Sequence, residues 1–311
     1  MTEVQMKATR DGFGEALLSL GEKQNKVMVV CADLEESMRV EEFGKRFPER
    51  MVEVGVAEQN MVGLAAGLAL EGNCVFAVSY AAFSPGRSWD QIRVSVALSN
   101  LNVKIVGGHT GLGVGPDGAT HQALEDIAIM RVLPGMMVVV PADAYQARQA
   151  TERLSELYGP AYLRLTRQKT GLFVDKALKF EIGKAQILRQ GKDITVVGCG
   201  PILGEAMKVA EKLAGRVSVE VINMHTVKPI DAETLIRSAK KTGRVLCIED
   251  HQVTGGLGGA VAEVLSEKMP VRLERMGVAD KWGESGLPED LYEKFGLSAR
   301  WIEGRVEKLM L

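Results

Sequence analysis

Residues 107–122, GGHTGLGVGPDGATHQ, set His109, Asp117 and His121 beside Gly108, Gly111, Gly113, Gly115 and Gly118. Imidazole exchanges protons near neutral pH and a carboxylate accepts hydrogen bonds, so this set could serve acid–base work at a bound ligand. Glycine allows the sharp backbone turns that such a loop needs. The segment holds two of the chain's four histidines. A lone loop histidine is ordinarily just solvated, whereas two around a carboxylate in a glycine-rich loop read as a site.

Glu58 opens the apolar segment GVAEQNMVGLAAGLAL directly after a strand-like run. On position alone it would complement a helix dipole. The helix behind it is apolar nearly all round, however, and is expected in the core or in an interface. A carboxylate at the mouth of such a helix is desolvated, so its pKa should rise unless a partner is supplied, and it suits sharing a proton with a bound base. Tyr80 and Phe83 follow the run CVFAV and precede GRSWDQIR. Aromatics are only 5% of the chain, so the grouping of Phe76, Tyr80, Phe83 and Trp89 offers a stacking wall for a flat ring, with core packing as the alternative.

Other candidates read as structural. Gly198, Gly200 and Gly204 with Glu220 superficially match a dinucleotide fingerprint, but the third glycine comes one place late and Glu220 lies inside an alternating strand pattern. A tight turn and close helix packing are expected there instead. Gly255, Gly256, Gly258 and Gly259 precede a helix and could either hold an anion or let the chain pass close to another backbone. Cys31, Cys74, Cys199 and Cys247 form no CxxC and lie in or beside apolar runs, so buried free thiols are expected.

The elements that must position these residues alternate from end to end. Short β-branched runs at 27–31, 51–54, 74–78, 103–107, 137–140 and 161–165 predict strands. Apolar residues recurring at three and four predict helices at 11–20, 59–70, 89–98 and 144–157. Such alternation implies an α/β fold with parallel sheets. The periodicity lapses between 167 and 182 and then resumes with DITVVGCG, a helix over 203–213, VSVEVIN, a helix opening at Asp231, RVLCIED, and a helix over 260–268. Asp231 is expected to cap its helix. Two domains are expected over 311 residues: 1–170, a linker at 171–182, and a smaller α/β domain at 183–311. Both glycine-rich and aromatic segments follow strands, at the edge where open α/β sheets place ligands.

Composition narrows the partners. With 46% hydrophobic and 25% charged residues the chain is an ordinary globular sequence, and its formal net charge of -2 gives no reason to expect nucleic acid or an anionic membrane. No apolar run approaches a membrane span and the start, MTEVQMKATRDGF, has no signal-like core, so a cytoplasmic protein is expected.

Taken together these residues resemble the second half of a transketolase, its pyrimidine-binding domain followed by its C-terminal domain. Gly55 to Glu58 matches the family's G-x-x-E element, and the resemblance implies that Glu58 bonds the N1′ atom of the thiamine diphosphate aminopyrimidine. Tyr80 and Phe83 fall where the family's ring-stacking aromatics lie. His109, Asp117 and His121 match H-x7-D-G-x-T-H-Q. Arg10 in KATR, Ser37 in ADLEES and Arg167 in LTRQ fall, with His109, where the family binds a sugar phosphate. Arginine suits that task because its planar fork bonds phosphate oxygens in pairs. Asp33 corresponds to a residue close to the cofactor, and the backbone of Val56 to one that contacts the pyrimidine.

The resemblance implies transfer of a two-carbon glycolaldehyde unit from a ketose to an aldose. His121 and His109 would move protons at hydroxyls, as groups poised near neutral pH, and Asp117 would bond the acceptor hydroxyl next to the carbonyl. Pro116 replaces the acidic residue usual before the DG pair, and the aromatic box holds fewer phenylalanines, departures that bear on donor and acceptor preference. The GDG element through which the family holds Mg²⁺ and the diphosphate is absent from the chain. A separate subunit is therefore expected to bring that site, in an α2β2 heterotetramer. Rival readings are the β subunit of a 2-oxo acid dehydrogenase first component, a deoxyxylulose-phosphate synthase, a regulatory protein with a degenerate thiamine fold, and a nucleotide-binding module at Gly198 and Gly200.

Overall fold

The β-branched runs of the first half become six parallel strands of one sheet, in a computed structural model that describes residues 5–311. Their order is Met137–Val139, Ala161–Arg164, Val103–Gly108, Cys74–Tyr80, Val27–Cys31, Met51–Glu53. The central strands Cys74–Tyr80 and Val103–Gly108 are buried almost throughout, which is why they read as continuous apolar runs. A seventh strand, Thr226–Lys228, joins antiparallel beside Met137–Val139 and comes from beyond the expected linker. The helices Thr9–Lys23, Glu58–Leu70 and Ala144–Glu156 cover the sheet. The helix Ala144–Glu156 is capped by Asp143, whose side chain accepts from the Gln146 N–H.

The expected helix at 89–98 is less regular than its periodicity suggests. It begins at Trp89–Gln91 and widens over Ile92–Ala97, where the Leu98 N–H reaches back five residues to the Arg93 carbonyl at 3.0 Å. Three β-branched side chains, Ile92, Val94 and Val96, crowd this stretch.

The second half forms a five-stranded sheet in the order Arg272–Val278, Arg244–Gln252, Ile194–Gly198, Val219–Asn223, Gln186–Arg189, the last strand antiparallel. Asp231 caps the helix Ala232–Thr242 by accepting from the Thr234 N–H at 3.0 Å, and its other oxygen accepts from the Ala185 N–H at 2.9 Å. The strands Gln186–Arg189 and Arg272–Val278 lie at the sheet's two edges, where mixed polar sequence conceals them. The helices Pro288–Lys294 and Ala299–Met310 complete this half.

Both glycine clusters are structural. Gly198 packs against Ile248, Gly200 turns the chain at φ +77°, and the buried Glu220 is paired with Lys241. At the second cluster the anion is internal: the Glu249 carboxylate accepts from the N–H groups of Leu257 at 2.7 Å and Gly258 at 2.9 Å, at the start of the helix Leu257–Lys268. A Cβ on Gly256 would strike that carboxylate. The four cysteines are free and buried, and burial pushes the Cys31 thiol up to about 12. Among the described residues, no helix is long and apolar enough to cross a membrane.

Candidate active site

Five neighbouring strands of the seven-stranded sheet end at one edge, and nearly every candidate residue follows one of those ends. Parallel strands linked by helices all point their carboxyl ends the same way, so residues from Asp33 to Arg167 converge by topology. Asp33 and Ser37 follow Val27–Cys31, and Gly55 to Glu58 follow Met51–Glu53. Tyr80 and Phe83 close Cys74–Tyr80, the glycine-rich loop follows Val103–Gly108, and Arg167 follows Ala161–Arg164. Arg10 lies at the start of the helix Thr9–Lys23.

His109 stands at the centre. Its backbone is left-handed at φ +53°, a conformation uncommon outside glycine that is concentrated at functional sites. The ring stacks on Tyr80 with centroids 3.8 Å apart, and Nε2 lies 3.4 Å from Nη1 of Arg10. The same Arg10 nitrogen donates to the Ser37 carbonyl at 2.8 Å, so it is the backbone of Ser37 that is engaged. His121 meets Phe83 edge-on at 5.2 Å and Tyr80 at 6.1 Å, and Thr120 bonds its Nδ1 at 2.8 Å. The four rings thus form one wall.

Burial first, then the positive charges of Arg10, Arg167 and Arg39 and the nearby His121, push the His109 imidazole down to about 3. The expectation that His109 is poised near neutral pH is corrected accordingly: in this chain it is a neutral hydrogen-bonding ring. Its buried Nδ1 and the Nε of Arg10 lack hydrogen-bond partners among the described residues. These buried, unpartnered polar atoms beside the Arg10 guanidinium leave hydrogen-bonding capacity unused at this edge. Asp117 and Arg167 pair with each other at 2.9 Å, both partly exposed.

Glu58 is 1% exposed at the start of the helix Glu58–Leu70, and its Oε2 accepts from Nη1 of Arg87 at 2.9 Å. The Arg87 guanidinium lies 5.2 Å from the Phe83 ring centroid, which connects Glu58 to the aromatic wall. Asp33, at φ +58°, and Val56, 70% exposed, stand on loops of the same edge. Among the described residues neither is hydrogen-bonded to the histidines or to Glu58. Glu53 links their loops by accepting from the N–H groups of Asp33 at 2.8 Å and Gly55 at 2.7 Å.

Sequence carries no mark of Arg87 or Glu53, because a lone charge beside an aromatic or at a strand end gives no local signal. The same holds for Arg164, buried with Asp126 at 2.7 Å and with Tyr162, which also bonds Asp126 at 2.6 Å. The helix Glu58–Leu70 proves two-sided within the chain. It buries Met61, Val62, Ala65 and Ala69 and exposes Asn60, Gly63, Gly67 and Leu70.

Comparison with known proteins places this architecture. The family model for the transketolase pyrimidine binding domain matches residues 5–171, and that for the transketolase C-terminal domain matches residues 183–302. The chain is 44% identical over 308 residues to a putative transketolase C-terminal section from Methanocaldococcus jannaschii, covering 98% of this chain and 96% of that protein. It is also 44% identical over 294 residues to the 6-deoxy-6-sulfo-D-fructose transketolase subunit SqwH of a Clostridium species, covering 94% and 91%. A solved structure described as a split gene transketolase, inactive beta4 tetramer, superposes with a TM-score of 0.91 at 44% identity, covering 97% of this chain and 98% of that one. The chain belongs to the transketolase family and is of the split-transketolase subunit type.

Proposed function

We propose that this chain binds the pyrimidine end of thiamine diphosphate and a phosphorylated sugar, as one of two subunits that together move a two-carbon glycolaldehyde unit from a ketose to an aldose. The observation that carries the reading is the buried Glu58 carboxylate, whose one hydrogen-bond partner among the described residues is the half-exposed Arg87. A carboxylate so placed beside an aromatic wall fits an aminopyrimidine, which presents a ring nitrogen to be bonded and a flat face to be stacked. When bound, thiamine diphosphate would supply the carbanion stabilisation needed to break and form the carbon–carbon bond.

Glu58 would bond the N1′ nitrogen, Phe83 and Tyr80 would line the ring, and the exposed backbone at Val56 and the nearby Asp33 would border it. His121 would hold or move protons at substrate hydroxyls, and Asp117 would accept from the acceptor hydroxyl next to the carbonyl. Arg10, the Ser37 region, neutral His109 and Arg167 would hold the distant phosphate, and remote binding energy there orients the reacting end. The diphosphate end fits this chain less well. The sequence has no GDG. The reading therefore gives Mg²⁺ and the diphosphate to a separate subunit. The exposed apolar face of the helix Glu58–Leu70 would pack against a second copy in an α2β2 assembly.

The test is co-production with a GDG-bearing subunit and measurement of transfer from a ketose phosphate to ribose 5-phosphate. Activity is expected only with both chains, thiamine diphosphate and Mg²⁺. Full activity of this chain alone, or undiminished turnover in an assembled Glu58→Ala variant, overturns the reading.

A further inference from the structure

Every candidate site residue lies at or before Arg167, yet the loop that carries Asp117 and His121 is shaped by the second half of the chain. Asp250 stands near the end of the strand Arg244–Gln252 and is buried. Its Oδ1 accepts from the Leu112 N–H at 2.9 Å and its Oδ2 from the Tyr292 hydroxyl at 2.9 Å. Gly111, immediately before the gripped amide, is left-handed at φ +73°, and a Cβ there would lie 2.1 Å from the Asp250 carboxylate. Only glycine therefore permits the contact.

The loop's far end is held from the same side. Gln122 donates through Nε2 to the Glu284 carbonyl at 3.0 Å, and the Gln252 N–H donates to the Leu124 carbonyl at 2.7 Å. The side chains of Leu112 and Leu124 sit in the apolar core built by the second sheet, with Leu291 and Val278. Arg164 completes the seam by donating to the Asp250 carbonyl at 3.0 Å while pairing with Asp126. Between these two anchored ends, Asp117 pairs with Arg167, and His121 meets Thr120 and the Phe83 and Tyr80 rings.

We propose that Asp250, oriented by Tyr292, is a positioning residue: the second domain acts as the template that sets the glycine-rich loop, and hence Asp117 and His121, at the sugar-binding edge. Glycine-rich loops have many alternative conformations, and ordering one requires contacts from outside it. A buried carboxylate gripping a backbone N–H supplies a strong, directional one. The proposal rests on the reading of Asp117 and His121 as sugar-binding residues given above.

The test uses the full chain with Asp250→Ala and Asp250→Asn, the second retaining an acceptor for the Leu112 N–H, and with Tyr292→Phe, which removes only a hydroxyl. Hydrogen exchange on the free chain is expected to speed the 112–122 amides about tenfold or more in Asp250→Ala, with the strand Val103–Gly108 unchanged and Asp250→Asn nearly restored. Assembled with the GDG-bearing subunit, Asp250→Ala should raise KM for ribose 5-phosphate about tenfold without changing half-saturation by thiamine diphosphate, and Tyr292→Phe should shift KM in the same direction by less. Loop amides that exchange no faster in Asp250→Ala or, should that variant not fold, in Tyr292→Phe overturn the proposal. Asp117→Ala and His121→Ala run alongside separate the remaining outcomes. If they cut turnover while Asp250→Ala, with a loosened loop, does not alter KM, positioning by Asp250 is wrong. If they too leave turnover intact, the functional reading of the loop has failed, and the positioning role falls with it.

Discussion

Glu58 and Arg87 form an ion pair at 2.9 Å in which the carboxylate is buried and the guanidinium half-exposed, held beside the Phe83 ring. A planar, hydrogen-bond-donating cation thus partners the carboxylate that the proposed function assigns to a planar heterocycle.

Removing one partner of this pair should affect stability and turnover differently. Arg87→Ala strands a buried carboxylate, although half-exposure of the arginine weakens the pair, so a loss of about 1–2 kcal/mol and a drop of about 2–4 °C in the unfolding midpoint are expected. Glu58→Gln keeps the shape and should move the midpoint by less, yet cut kcat of the assembled enzyme by about 10²-fold or more. Calorimetry and transfer assays on both variants check this, and a Glu58→Gln enzyme of normal kcat would remove Glu58 from the chemistry.

Arg167→Ala should leave stability almost unchanged, because its pair with Asp117 is partly exposed and worth about 0.2–1 kcal/mol. Its effect is expected in KM, about tenfold or more for phosphorylated aldoses and little for unphosphorylated ones. Equal effects on both substrate classes would exclude a phosphate contact.

Stability should fall on acidification through His109 and His225, both of which burial pushes from 6.5 down to about 3. The unfolded chain takes up their protons near pH 6.5 while the folded chain does not. The stability is therefore fully present above about pH 6.5 and is lost progressively as pH falls toward 3, at about 1–2 kcal/mol for each histidine by pH 5. Urea unfolding at pH 7.5 and pH 5 should show a smaller loss for His109→Gln than for the parent. An identical pH dependence would mean that His109 is protonated in the folded chain.

Gly63 lies on the exposed face of the helix Glu58–Leu70, and a Cβ there would meet nothing. Gly63→Arg should therefore fold at least as well as the parent, since glycine in a helix interior costs up to about 1 kcal/mol. It should nonetheless dissociate self-association through this face. Sedimentation velocity distinguishes the outcomes, and an unchanged assembly would show that contact between copies lies elsewhere.

What the sequence determined by itself was element type and the shared edge. Val27–Cys31, Cys74–Tyr80 and Val103–Gly108 are β-branched and apolar, the helices between them repeat at three and four, and that alternation alone puts Glu58, Tyr80, His109 and Arg167 at one end of a parallel sheet. The family was legible in the spacing of His109, Asp117 and His121. Only the tertiary structure decided that Arg87 partners Glu58, that burial first and then the neighbouring arginines push the His109 imidazole down, and that Asp250 grips the loop from the second domain. Propensity and periodicity act over about ten residues, and they leave no mark for contacts that close loops of tens to more than a hundred residues. The same limit hid the edge strands Thr226–Lys228 and Arg272–Val278, whose pairing is set by the neighbour each one meets.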